Sequence, residues 1–123
     1  MEKKLLKAFQ KVLFTPKKII IIPHKNPDGD ALGSSLALNT FLIKTGHDSC
    51  VIAPNEYPEF LNWMPGQEQI KKFSQTPDES TQIIENADII FTLDFNQLGR
   101  IDQMAPVVER SIAQKIMIDH HEH

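Results

Sequence analysis

Ile19-Ile20-Ile21-Ile22-Pro23-His24, running into Asn26-Pro27-Asp28-Gly29-Asp30, decides the fold. Four β-branched residues in a row, with no polar alternation, make a strand that must be covered on both faces, as in a parallel sheet. The turn chemistry follows at once, since proline presets φ and glycine permits φ > 0. From Asp30 to about Lys44 the pattern is helical, with Gly46 placed as the cap beyond its end. The first turns of that helix hold Ala31, Gly33, Ser34, Ser35 and Ala37, small enough for backbone to approach a sheet or a phosphate. Strand, tight turn and helix are the opening of a β-α-β unit.

Outward from this unit the same grammar repeats. Upstream, Leu5, Leu6, Phe9, Val12 and Leu13 form one stripe of an amphipathic helix, ended by Thr15-Pro16. Downstream, Ser49 to Ala53 is a second strand, and Pro77 with Asp78 and Glu79 opens a helix running to about Asn86. Ile89 to Leu93 and Lys115 to Ile118 are further strands, separated by a helix from Met104 to Ser111. Between Pro54 and Gln75 the pattern is weak, with Phe60, Leu61, Trp63 and Met64 suggesting a helical turn closed by Pro65-Gly66. The order α-β-α-β-α-β-α-β, with short connections, predicts an α/β fold: an open parallel sheet of four strands with flanking helices.

Composition sets the class. The 123 residues allow one domain or part of one. Apolar residues at 41% and charged residues at 24% suit a globular fold and exclude a disordered tract. No apolar stretch approaches the ~20 residues of a membrane span, and Lys7 and Lys11 make the amino terminus a poor signal peptide. A single cysteine, Cys50, cannot form an internal disulfide, which favours a reducing cytoplasm. Residues 1–18 carry a net +5, leaving −8 on the rest. The lysines read as the wet face of the first helix, and the acidic remainder excludes a broad nucleic-acid-gripping surface.

The acid is concentrated where strands end. The first strand runs into His24, with Asp28 and Asp30 close behind; the third into Asp94; the fourth into Asp119-His120-His121. Open α/β sheets bind ligands outside the carboxyl ends of their strands. Singly, each group has a plain reading: Asp28-Gly29 a turn, Asp30 a helix cap, Asp94 the start of a loop. Together, four carboxylates at one sheet edge would repel one another by several kcal/mol unless cations join them. Two divalent ions would cancel that charge. Oxygen and imidazole donors without cysteine suit Mn²⁺, with Mg²⁺ or Co²⁺ possible. Two such ions sharing a carboxylate activate water against a phosphate ester. No G-x-G-x-x-G follows the first strand, which disfavours a dehydrogenase-type dinucleotide site.

His24-Lys25-Asn26-Pro27-Asp28-Gly29-Asp30-Ala31-Leu32-Gly33-Ser34-Ser35-Leu36-Ala37-Leu38 resembles the first motif of the DHH phosphoesterases. Asp94 with Asn96 and Arg100 resembles the second, and Asp119-His120-His121 resembles the motif that names the family. The resemblance implies a Rossmann-like domain and a manganese-dependent hydrolase. It implies His24, Asp28 and Asp94 on one metal and Asp30, Asp94 and His120 on the other. It places His121 at the scissile phosphate, with Asp119 supporting the histidine pair, and makes Asn96 and Arg100 candidates for phosphate contact. Gly29, Ala31 and the Gly33–Leu38 run are most similar to the branch of bacterial oligoribonucleases that also dephosphorylate 3′-phosphoadenosine 5′-phosphate. A short RNA oligonucleotide or nucleotide is then the implied substrate, with no membrane partner and a homodimer admissible. A cyclic- or linear-dinucleotide phosphodiesterase is the alternative within the family, and a metal- or nucleotide-binding regulatory module without turnover the alternative outside it.

The family pattern continues past the third motif. Residues 1–123 are therefore expected to be the N-terminal part of the catalytic domain, with a further metal aspartate and a smaller substrate-selecting domain lying beyond, and this piece alone is expected to be weakly active. Three residues outside the motifs have plain expectations. Cys50 is a small core residue with nothing nearby to activate it. Trp63, with Tyr57 and Phe60, is expected to pack in the core rather than to stack on a base. His47, beside Gly46, is expected to complement the helix dipole.

Overall fold

The computed structural model describes residues 15–23, 29–54, 63, 66–93 and 104–118, without the side chains of residues 29–31 and 118. The elements are β1 (Lys18–Pro23), α1 (Gly29–Lys44), β2 (Asp48–Ala53), a 3₁₀ turn (Gln67–Gln69), β3 (Lys71–Lys72), α2 (Pro77–Glu85), β4 (Ile89–Leu93), α3 (Ala105–Arg110) and β5 (Gln114–Ile118). The strands form one sheet in the order β3-β2-β1-β4-β5, and all its pairings are parallel. The expected leading helix and the helical turn around Phe60 lie largely outside the described residues.

The isoleucine run behaves as its composition demands. Ile19 and Ile21 face one core with Leu32, Leu42, Val51 and Phe91, against which α1 packs. Ile20 and Ile22 face the other, with Ile52, Ile84, Ile90 and Val108, against which α2 and α3 pack. Covering both faces removes all four isoleucines from water, and each such burial contributes about 1.5–3 kcal/mol.

One element departs from the sequence reading: the described residues hold five strands, not four. β3 is a two-residue lysine pair that hydrogen-bonds beside Ile52 and Ala53. Its position comes from its neighbours, because Ile70 and Phe73 on either side are buried and pin the segment to opposite cores. Lys71 also pairs with Glu79 on α2.

The amino ends of the strands are clasped by side chains. The Lys17 N–H donates to His47 Nδ1 at 3.1 Å, and the Lys18 N–H donates to Asp88 Oδ2 at 2.8 Å. The backbone closes the same edge: Asp48 N–H donates to Lys17 O, Asp88 N–H to Lys18 O, and Gln114 N–H to Asp88 O. His47 is 7% exposed, so its role is not that of a solvated charge at a helix end. It is a buried acceptor at Nδ1, holding the start of β1. The helix end itself is closed by backbone: Gly46 at φ 97° lets its own N–H reach Ile43 O and the His47 N–H reach Leu42 O.

Candidate metal centre

At the other ends of the strands no such side-chain clasp is formed among the described residues. Pro23 of β1 is in register with Leu93 of β4, and Leu93 with Ile118 of β5. The chain therefore leaves three adjacent strands at one level, across about 10 Å at the usual ~4.8 Å strand spacing. In sequence, the residues that come next are His24, Asp94 and Asp119. The strand order adds a second reason to look here. From β1 the chain crosses to β2 and β3 on one side, then returns to β4 and β5 on the other. That reversal makes the crevice between β1 and β4 the topological switch point, where α/β sheets hold their ligands.

His24, Asp28, Asp94, Asn96, Arg100, Asp119, His120 and His121 lie outside the described residues. The backbone of Asp30 is described, as the second residue of α1. Among the described residues no group of three His, Cys, Asp or Glu side chains is arranged to hold an ion. The edge thus has its three exits at one level and the amino end of a 16-residue helix beside it, whose free N–H groups and dipole favour anions. The donor types that follow these exits in sequence, carboxylate and imidazole without thiolate, fit hard and borderline divalent ions.

Away from that edge, the structure separates structural groups from candidates. A cleft of about 360 Å³ opens between α2 and the first halves of β1 and β2, lined by Lys18, Ile20, Asp48, Cys50, Gln82 and Asn86 among others. It sits at the clasped end of the strands, remote from their carboxyl ends. Burial, reinforced by the Asp48 carboxylate and partly offset by Lys71, pushes the Cys50 thiol up to about 11. It stays protonated at neutral pH and serves neither as nucleophile nor as ligand. That agrees with its expected core role.

One residue here differs from expectation. Trp63 is 73% exposed and does not pack in the core; its apolar neighbours in sequence gave the misleading signal.

Comparisons with known proteins place the chain in a family. Residues 18–123 match the family described as "DHH family, N-terminal domain". The chain is 24% identical over 121 residues to the cyclic-di-AMP phosphodiesterase GdpP of Bacillus subtilis, covering 93% of this chain and 18% of that protein. It also superposes, with a TM-score of 0.93 and 43% identity, on the crystal structure of an exopolyphosphatase-related protein from Bacteroides fragilis. That match covers 98% of this chain and 36% of the other. The chain thus spans little more than a third of the one relative and less than a fifth of the other.

Proposed function

Since the chain belongs to the DHH family, we propose that it carries the catalytic part of a metal-dependent phosphoesterase hydrolysing short RNA oligonucleotides or nucleoside 3′,5′-bisphosphates. The observation that supports this reading is the shared level of Pro23, Leu93 and Ile118 at the switch point of the sheet. Each of the three motifs begins one residue beyond one of those positions.

In this proposal His24, Asp28 and Asp94 hold one divalent ion and Asp30, Asp94 and His120 a second, with Mn²⁺ preferred. Bound there, such ions supply neutralising charge and a water acidic enough to attack near neutral pH. The protein's own groups do the rest. Asp94 would serve as a ligand in both sets, so its loss would weaken the whole centre. His121 holds or delivers a proton at the phosphate, and Asp119 orients the histidine pair. Arg100 offers a planar guanidinium to two phosphate oxygens, with Asn96 as a neutral donor beside it. The first N–H groups of α1 face the same oxygens. The setting is cytoplasmic, in keeping with the single Cys50. The further metal aspartate and the substrate-selecting domain belong to a longer protein. A second reading, cleavage of a cyclic dinucleotide, is favoured by the likeness to the Bacillus subtilis phosphodiesterase.

The test is hydrolysis of an RNA dinucleotide, of 3′-phosphoadenosine 5′-phosphate and of a cyclic dinucleotide by the natural longer protein, with Mn²⁺, Mg²⁺ or chelator. Turnover that requires Mn²⁺ and falls more than about a hundred-fold in Asp94→Ala is expected. Cleavage of the cyclic dinucleotide alone would move the assignment to the second reading. Metal binding without turnover of any of the three would make the chain a regulatory module.

A further inference from the structure

The cleft between α2 and the first halves of β1 and β2 is lined entirely by described residues. At about 360 Å³ it falls within the ~300–1,000 Å³ range of small-molecule sites. Side chains alternate along a strand, so Lys18 shares a face with Ile20, and Asp48 shares one with Cys50. Ile20 and Cys50 both belong to the core beneath α2, so Lys18 and Asp48 project to the same side. Ile83 of α2 and Ala87 just beyond it add to the apolar lining.

Lys18 and Asp48 are direct neighbours in register across β1 and β2, about 4.8 Å apart at the usual strand spacing. Opposite charges that close can join as an ion pair, yet neither side chain has a hydrogen-bond or ion-pair partner among the described residues. The carboxylate acts on the cleft all the same: after burial, it is the next cause that raises the Cys50 thiol. On the facing wall, Asn86 donates through Nδ2 to the Gln82 carbonyl, which leaves its Oδ1 as an acceptor. The lining therefore offers one cation, one anion beside it, a neutral acceptor opposite and an apolar floor. A lone cation would meet Lys18, and a lone anion would meet Asp48. A ligand that carries both charges on neighbouring groups, with an apolar body, satisfies every part.

We propose that this cleft binds a free α-amino acid with an apolar side chain, its ammonium on Asp48, its carboxylate on Lys18 and its side chain over Ile20 and Ile83. The site lies at the opposite end of β1 from the strand ends that precede the three motifs, and it does not depend on the phosphoesterase reading.

The test is calorimetric titration of the natural longer protein with L-leucine, L-valine and L-methionine. Leucinamide, which lacks the carboxylate, and N-acetyl-leucine, which lacks the ammonium, serve as controls. Leucine should bind with a Kd of about 0.1–3 mM, and each blocked analogue at least about ten-fold more weakly. Asp48→Asn and Lys18→Gln should each weaken leucine by about 10- to 100-fold. Both side chains are exposed, so the thermal midpoints of these variants should match the parent. Cys50 supplies a local readout, since it lines the cleft. Its alkylation, followed on its own peptide by mass spectrometry, should slow at saturating leucine in the parent and much less in Asp48→Asn. No saturable binding of any of the three amino acids would overturn the site. Blocked analogues that bind as tightly as leucine would overturn recognition of both charges. Leucine binding unchanged in both variants, with Cys50 unprotected, would overturn the location.

Discussion

At the scale of single residues, His47 is the most informative. Its Nδ1 accepts the N–H of Lys17, a residue thirty positions away, at the point where β1 begins. A leucine there would fill the space and leave that donor unpaired at a part-buried site. We expect His47→Leu to cost about 1–3 kcal/mol, read as a lowered urea midpoint with an unchanged slope. Cys50 gives a pH signature. Its thiol is held up to about 11 in the folded protein, against an ordinary value near 9. Below pH 9 the proton is bound in both states and nothing changes. Between 9 and 11 the unfolded chain releases it while the folded chain keeps it, so stability falls as pH rises, by at most about 2–3 kcal/mol. Comparing unfolding free energies of parent and Cys50→Ala across that window isolates the effect from lysine titration. The same burial predicts that a thiol reagent at pH 8 modifies Cys50 much more slowly in the folded state than in urea.

At the scale of elements, the small residues opening α1 divide between roles that the sequence left merged. Ser35 is fully buried and Ala37 exposed. Gly33 has nothing within 4 Å of where a Cβ would stand, so close packing on the sheet does not require it. In a helix interior glycine costs about 0.5–1 kcal/mol relative to alanine. Gly33→Ala should therefore raise the unfolding free energy by that amount in a denaturant melt. β1 and β4 were legible because each is a run of residues that water rejects on two sides, and β2 and β5 because each ends in a short apolar run. β3 was not, since Lys71-Lys72 has no apolar pattern of its own and is placed by Ile70 and Phe73. Trp63 misled for the converse reason: an aromatic residue among apolar neighbours resembles core, yet its side chain is 73% exposed.

At the scale of the whole molecule, the reading of an open parallel α/β sheet holds, and the order β3-β2-β1-β4-β5 adds what a linear pattern cannot contain. Strand lengths and turns are local, whereas the reversal between β1 and β4 is a property of the assembled sheet. The motif residues were legible as chemistry because carboxylates and imidazoles recur after strands. What the sheet adds is the register that levels Pro23, Leu93 and Ile118, the strand ends that precede them in sequence. Opposite that level, His47 and Asp88 grip consecutive amides at the start of β1 from its two neighbouring strands. The molecule is thus built like a hand-held brush, bound at the ferrule and free at the bristles. In the proposed phosphoesterase, substitutions beyond those ends would retune which ester is cut without drawing on the bonds that keep the strands aligned. On that reading one scaffold diversifies its substrates while inheriting its fold unchanged.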